Sequence, residues 1–254
     1  MAVSVLGIIP ARFASTRFPG KPLVKIFGKT LLQWTYENAC KVEILDRILI
    51  ATDDERIAQH ARELGSEVMM TSLDCLNGTE RLGEVIQNHP EMLQAKAIVN
   101  IQGDEPFIDP SAIDQAVDLL LSDPQSSMST LLTPLKTEEE ANNPSVVKCV
   151  KDIHNNALYF SRALIPSNKA HSFNPNQAYF RHIGLYVYRP AFLLNYLNLA
   201  STPLQLEECL EQLKILEHGY RIKVAITDHA GIGVDTPEDL HHLEKWICTQ
   251  NLFS

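Results

Sequence analysis

No apolar run in this chain approaches the ~20 residues that a membrane-spanning helix needs. The five cysteines (Cys40, Cys75, Cys149, Cys209 and Cys248) include no close pair and no Cys/His metal spacing. An odd, dispersed set of this kind argues for reduced thiols and against a disulfide framework or zinc site. Positive charge is scarce: 22 Lys and Arg stand against 31 Asp and Glu, a formal net charge of −9. Sequence-independent nucleic-acid binding depends on a cationic surface and is disfavoured. No basic segment and small-residue cleavage site open the chain, so a cytoplasmic protein is expected. The two common phosphate loops are missing as well. Around Gly20-Lys21, Ser15 stands where a Walker loop needs Gly and Pro22 where it needs Ser or Thr. Gly7 and Gly20 are too far apart for the dinucleotide fingerprint.

What is present points to an α/β enzyme. With 254 residues and 45% hydrophobic content, the chain can bury one sizeable core. The apolar run at 3–9 reads as a buried first strand of a sheet covered on both faces. It leads directly into Pro-Ala-Arg-Phe-Ala-Ser-Thr-Arg-Phe-Pro-Gly-Lys-Pro at 10–22. Arg12, Arg17 and Lys21, with the hydroxyls Ser15 and Thr16, are thereby set at the carboxyl end of that strand. Open α/β sheets place ligands there, and converging cations and backbone N–H groups suit a polyphosphate.

Strands and helices then alternate at βαβ spacing. Helices are expected at about 30–41, 53–64, 80–88 and 109–121, with strands at 47–51, 67–71 and 97–102. Asp53, Asp54 and Glu55 offer cap and first-turn chemistry for the second helix. This half predicts a mostly parallel sheet flanked by helices. The rhythm changes at 145–161, which reads as a β-hairpin turning at His154-Asn155-Asn156. A polar loop at 166–177, a strand at 183–188 and a helix at 190–199 follow. One further helix is expected from 203 to 218, then a late strand at 221–227 and a last helix capped by Thr236. No linker or repeat divides the chain. The expectation is a single domain over 1–254 with a β-rich insertion or dimerisation arm at about 142–189.

Two carboxylates fall at the ligand edge by chain order. Asp104 ends the strand at 97–102, and Asp235 lies between the late strand and the final helix. Convergent carboxylates beside bound phosphates suit Mg²⁺, which shares its coordination with nucleotide oxygens. Each also has a plain structural reading, Asp104 as a turn residue and Asp235 as a helix cap.

Eight segments in order resemble the bacterial 3-deoxy-manno-octulosonate (Kdo) cytidylyltransferases, also called CMP-Kdo synthetases. They are IIPARFASTRFPGKPL at 8–23, ATDDERI at 51–57, NGTERL at 77–82, VNIQGDEPFI at 99–108, YFSRALIP at 159–166, HIGLYVY at 182–188, LEQLKIL at 210–216 and GVDTPEDL at 233–240. The resemblance implies a nucleotide-diphospho-sugar transferase fold, Mg²⁺ dependence and a homodimer. It also implies a reaction, in which the anomeric hydroxyl of Kdo attacks the α-phosphate of CTP to give CMP-Kdo and pyrophosphate for lipopolysaccharide biosynthesis.

Roles carry over by position. Arg12, Arg17 and Lys21 are implied to hold the triphosphate with Ser15, and Asp104 and Asp235 to carry Mg²⁺. Asn77, Gly78, Thr79 and Arg81 are implied to read the base. Gln102 is expected to touch nucleotide and sugar, and Arg162, His182, Tyr186, Glu211 and Gln212 to form the sugar pocket. Asn77-Gly78-Thr79 serves equally as a helix cap, Tyr186 as core, and Glu211 and Gln212 as a helix face. Four positions depart from the family pattern: Cys75 where His is usual, Asn77 where Ser is usual, Leu164 for Pro and Lys214 for Arg. The first two bear on nucleotide selectivity and Leu164 on loop rigidity. Competing readings keep the chemistry with another acid sugar, or make the chain a non-catalytic nucleotide sensor.

Overall fold

A computed structural model describes residues 5–14, 18–228, 231, 233–234 and 236–250. In chain order the elements are β1 (Val5–Ala11), β2 (Lys25–Ile26), β3 (Lys29–Thr30), α1 (Leu31–Ala39), β4 (Arg47–Thr52), α2 (Glu55–Glu63), β5 (Glu67–Met70), α3 (Gly78–Asn88), β6 (Ala97–Ile101), α4 (Pro110–Ser122), β7 (Met128–Pro134), α5 (Glu138–Asn142), β8 (Lys148–Lys151), β9 (Ala157–Ser161), β10 (Phe180–Tyr188), α6 (Pro190–Leu197), α7 (Pro203–Glu208), α8 (Glu211–Glu217), β11 (Ile222–Ile226) and α9 (Pro237–Gln250).

The first apolar run lies inside the sheet, with every residue of β1 buried. It pairs in parallel with β4 on one side and β6 on the other. The sheet runs β11-β7-β10-β6-β1-β4-β5, with the β8–β9 hairpin off this path. All pairings along it are parallel except those of β10, which is antiparallel to both β6 and β7. This is the expected mostly parallel sheet flanked by helices. One face is covered by α3, α6 and α8 through Leu82, Val85, Phe192 and Leu213. The other is covered by α1, α2 and α4 through Leu32, Ile57, Ala112 and Val117. A smaller cluster joins Trp34 to Val234, Leu243 and Ile247 and ties α9 to the opening half.

Three local expectations are corrected. The segment Met128–Pro134, absent from the strands expected above, is β7, whose first five residues are buried between β10 and β11. Covered on both faces, it shows no polar alternation to mark it. The single helix expected over 203–218 is two. Cys209 adopts φ 53°, which ends α7, and the Glu217 carboxylate accepts from Leu204 N and Gln205 N at 3.2 and 3.0 Å, folding α7 onto α8. The acids 53–55 divide their work. Asp54 caps α2 by accepting from Arg56 N at 2.9 Å, whereas Asp53 turns away to Arg81.

Within 142–189, the hairpin forms as read, with β8 antiparallel to β9. β10 belongs to the centre of the main sheet. Among the described residues no helix is long and apolar enough to cross a membrane.

Candidate active site

The carboxyl ends of β1 and β6, the start of α3 and the α7–α8 turn enclose a cleft of about 620 Å³, within the range of small-molecule sites. It is lined by Arg12 and Lys21 from the opening loop, Asn77, Gly78 and Arg81 from α3, and Gln102 and Asp104 after β6. Tyr186, Glu211 and Gln212 close the far side. Ten of the residues singled out from the sequence thus converge on one cleft.

The opening loop is pinned at its base. Gly20 N–H donates to Phe13 O at 2.9 Å, and a Cβ at Gly20 would lie 3.1 Å from the Phe13 ring. Its φ of 71° adds a second demand for glycine. The Arg56 guanidinium lies 3.4 Å from the Phe13 ring centroid and holds the aromatic in place. Ser15, Thr16 and Arg17 lie outside the described residues, as does Asp235. Arg12 extends across the cleft and donates to Leu76 O at 3.4 Å. Lys21 Nζ donates to Asp104 Oδ2 at 2.6 Å and to Val234 O at 2.8 Å, while Val234 N–H donates to Asp104 O at 2.9 Å. The opening loop, the β6 turn and the residue preceding Asp235 are therefore bonded together.

Across the cleft, Asn77 caps α3 by accepting from Glu80 N at 2.9 Å. Gly78 has no side chain to separate it from the floor. A Cβ there would lie 3.3 Å from Pro10 and 3.4 Å from Asn100 Nδ2. Arg81 is committed to the protein on one side, with Nη2 2.7 Å from Asp53 Oδ2 and Nη1 bonded to Thr71 Oγ1. Gln102 Nε2 donates to Asn100 Oδ1 at 3.3 Å. Glu211 is half-buried in the cleft wall, and this desolvation pushes its carboxyl up, with the hydrogen bonds from Thr79, whose N lies at 3.4 Å, opposing the shift. Gln212 Nε2 and Asn100 Nδ2 are buried with no hydrogen-bond partner among the described residues, and such amides are costly unless something pairs with them.

Three residues expected at the ligand do not line this cleft. Thr79 is buried behind it, its hydroxyl 2.8 Å from Tyr188 Oη. Arg162 donates from Nε to Glu208 O at 2.8 Å and from Nη1 to Pro144 O at 3.1 Å, one residue from the cleft wall at Cys209. His182 is buried in the sheet, edge-on to Phe160 and tilted against Tyr186. Its Nε2 lies 3.0 Å from Thr130 Oγ1, whose own hydroxyl is 2.7 Å from Leu185 O. Burial, aided by the Arg181 charge, holds His182 down at about 3.

The sign of the resulting pH effect is fixed. Between about 6.5 and 3 the unfolded chain takes up a proton that the folded chain refuses, so stability falls as pH drops through that window. His182→Gln removes about 2 kcal/mol of the stability lost between pH 7 and pH 5. Urea unfolding at the two pH values checks this, and an unchanged difference refutes it.

Cys75 sits beside the cleft and donates to Glu84 Oε2 at 2.9 Å. Burial first, then that bond and the Glu84 charge, push its thiol up to about 12. Iodoacetamide at pH 8 is therefore expected to label the exposed Cys40, Cys209 and Cys248 before Cys75, as followed by peptide mass spectrometry.

Among the described residues no group of three or more His, Cys, Asp or Glu is arranged to hold a metal. The donors nevertheless fit a hard divalent cation that takes one or two carboxylates and completes its shell from phosphate and water. The Lys21 ammonium on Asp104 shows that this carboxylate already selects positive charge. Sequence reasoning missed Asn100, a buried amide packed beneath Gly78, and the α7–α8 wall at Gln205, Leu206, Cys209 and Leu210. No local pattern marks the latter, whereas Asn100, a polar residue inside an apolar strand, was a legible signal.

A profile of the cytidylyltransferases matches residues 6–222. The 3-deoxy-manno-octulosonate cytidylyltransferase of Protochlamydia amoebophila (strain UWE25) is 62% identical over 253 residues, spanning 100% of this chain and 98% of that protein. The mitochondrial 3-deoxy-manno-octulosonate cytidylyltransferase of Arabidopsis thaliana is 49% identical over 250 residues, spanning 98% of this chain and 84% of that protein. A solved structure of CMP:2-keto-3-deoxy-manno-octonic acid synthetase complexed with CTP matches with a TM-score of 0.89 at 35% identity, covering 97% of this chain and 99% of that one. The chain therefore belongs to the cytidylyltransferase family, among the 3-deoxy-manno-octulosonate cytidylyltransferases.

Proposed function

We propose that this chain transfers CMP from CTP to the anomeric hydroxyl of Kdo, releasing pyrophosphate, and that CMP-Kdo feeds lipopolysaccharide biosynthesis. The observation that carries the reading is the junction of Lys21, Asp104 and Val234 at the ends of β1 and β6, facing Asn77 and Arg81 across one cleft. A cation cluster opposite a polar, amide-lined wall suits a nucleoside triphosphate with its phosphates at one end and its base at the other. Arg12 and Lys21, with Arg17, bind the triphosphate and offset charge that develops on the departing pyrophosphate. Asn77, Gly78 and Arg81 take the cytosine end. Gln102, Tyr186, Glu211 and Gln212 orient the sugar so that its hydroxyl meets the α-phosphate in line. Asp104 and Asp235 hold a divalent cation, which we take to be Mg²⁺. A divalent cation held there would supply charge neutralisation at the α-phosphate and make the sugar hydroxyl easier to deprotonate, so no separate protein base is assigned.

Arg162, bonded to Glu208 O next to the cleft wall at Cys209, is assigned to Kdo recognition from the edge of the site, and His182 is assigned an indirect part through Tyr186, the cleft residue its ring packs against. Arg162→Ala is expected to raise KM for Kdo about 10-fold or more while changing CTP affinity little. An equal loss of CTP binding would remove Arg162 from the sugar site. The protein works as a cytoplasmic homodimer of single-domain subunits, with the β8–β9 hairpin at the interface. The exposure of Ile153 and Leu158 on that hairpin supports this placement. Sedimentation velocity tests the dimer.

The decisive experiment is pyrophosphate release from CTP with Mg²⁺, comparing Kdo, a sialic acid and no acceptor. Release with Kdo alone is expected. Release with the sialic acid instead overturns the acceptor, and no release with any acceptor from folded protein overturns the activity.

A further inference from the structure

Lys148, the first residue of β8, is fully buried. The hydrogen-bond partners of its ammonium are three backbone carbonyls: Asn143 O at 3.0 Å, Val146 O at 2.6 Å and Arg162 O at 2.5 Å. An ammonium has three N–H donors, so the set is complete. A cation taken out of water is costly unless such bonds replace its hydration. The ammonium and the three carbonyls therefore hold one another in place.

Those carbonyls converge on Arg162. Asn143 and Val146 flank Pro144 in a turn that Val146 N–H closes by donating to Asn143 O at 3.1 Å. Pro144 O in turn accepts from Arg162 Nη1 at 3.1 Å. One buried ammonium thus fixes both the Arg162 backbone and the turn whose carbonyl receives the Arg162 guanidinium. Glu208, the last residue of α7, holds the same arginine from the other side. Its carboxylate accepts from Ser161 Oγ at 2.6 Å and from Arg162 N–H at 2.9 Å, and its carbonyl accepts from Arg162 Nε at 2.8 Å. The N–H, C=O, Nε and Nη1 of Arg162 are all committed, whereas Nη2 bonds to nothing among the described residues. A guanidinium held this way keeps part of its fork for an anion.

We propose that Lys148 and Glu208 are positioning residues, which clamp Arg162 so that its unspent donors meet the carboxylate of the sugar. The proposal rests on the reading of Arg162 as a Kdo residue. An arginine free to sample its rotamers must be ordered when a ligand binds, and that ordering weakens the complex. Here the fold orders the side chain before Kdo arrives. The sugar carboxylate does not react, so losing the clamp weakens Kdo binding and leaves turnover of the bound complex in place.

Steady-state kinetics of the full chain with Kdo as the varied substrate test the clamp, with CTP affinity read by isothermal titration calorimetry. Lys148→Met and Glu208→Ala should each raise KM for Kdo about tenfold, with kcat and CTP affinity changed by less than about twofold. Glu208→Gln should recover most of that loss, because its Oε1 accepts from Arg162 N–H while the Ser161 hydroxyl turns to accept from Nε2. In an Arg162→Ala background neither Lys148→Met nor Glu208→Ala should raise KM further, since the guanidinium they position is gone. Increments that persist in that background overturn the clamp, and so does a Gln variant as impaired as the Ala variant. An effect of Arg162→Ala that neither clamp variant shares overturns the clamp alone and keeps Arg162 at the sugar. An unchanged KM for Kdo in Arg162→Ala itself overturns the assignment of Arg162, and the clamp with it. Should Lys148→Met fail to fold, the two variants of the half-buried Glu208 decide the matter between them.

Discussion

Asp104→Ala lowers pyrophosphate release by roughly 10³-fold or more, about 4 kcal/mol of transition-state stabilisation, and leaves the fold in place. The two halves of this expectation have different origins. The Asp104 side chain is 32% exposed, and Lys21, though only 12% exposed, keeps its bond to Val234 O when the carboxylate is removed, so the cost to stability stays small. The bond that matters to the backbone, from Val234 N–H to Asp104 O, survives truncation. A shift in the unfolding midpoint of under about 3 °C is expected. What the variant loses is the carboxylate that holds Lys21 and, under the proposed reading, the divalent cation. Asp104→Asn separates these. The amide oxygen still accepts from Lys21 Nζ, but the charge is gone, so turnover should remain close to that of the Ala variant. Turnover within tenfold of the unaltered chain in both variants would take Asp104 out of the reaction.

Much of this architecture was legible because its signals are local. β1 itself carries no polar side chain, and Pro19 and Gly20 mark the loop that follows. β6 ends at Ile101, two residues before Gly103, and Asp109-Pro110 starts α4 as read. Asp104 and the cations could be placed at one sheet edge from chain order alone. What stayed hidden depends on contacts across the sequence. β7 lacks alternation because both its faces are covered. The break at Cys209 needs a left-handed residue that is not glycine, and it is held by Glu217 from the following helix. Asp53 reads as a cap because Asp54 beside it is one, and only the fold shows that its partner is Arg81, 28 positions away. His182 and Arg162 were placed by family register. The first is buried against Thr130 and the second is tied to backbone carbonyls, so their distance from the cleft was beyond any spacing argument.

Asp53→Ala should cost about 3–5 kcal/mol of stability, the penalty of breaking a buried ion pair from one side. Arg81 is 3% and Asp53 9% exposed at the side chain, with 2.7 Å between Nη2 and Oδ2. Removing the carboxylate leaves a guanidinium desolvated with only Thr71 Oγ1 as a bonded partner on that side. A buried, uncompensated charge accounts for most of the cost, so truncating Arg81 as well should recover part of it. Asp53→Ala/Arg81→Met is therefore expected to be more stable than Asp53→Ala in guanidinium unfolding, the sign opposite to that of two independent losses. The same pair of variants probes the site. Arg81 stands one turn after Asn77 on α3 and lines the cleft, so Asp53 fixes where the guanidinium faces the nucleotide. CTP affinity should fall in Asp53→Ala and should stay low in the double variant, even as its stability recovers. Recovery of both together would make Arg81 a structural residue alone, and a stability loss under about 1 kcal/mol in Asp53→Ala would show that water reaches the pair.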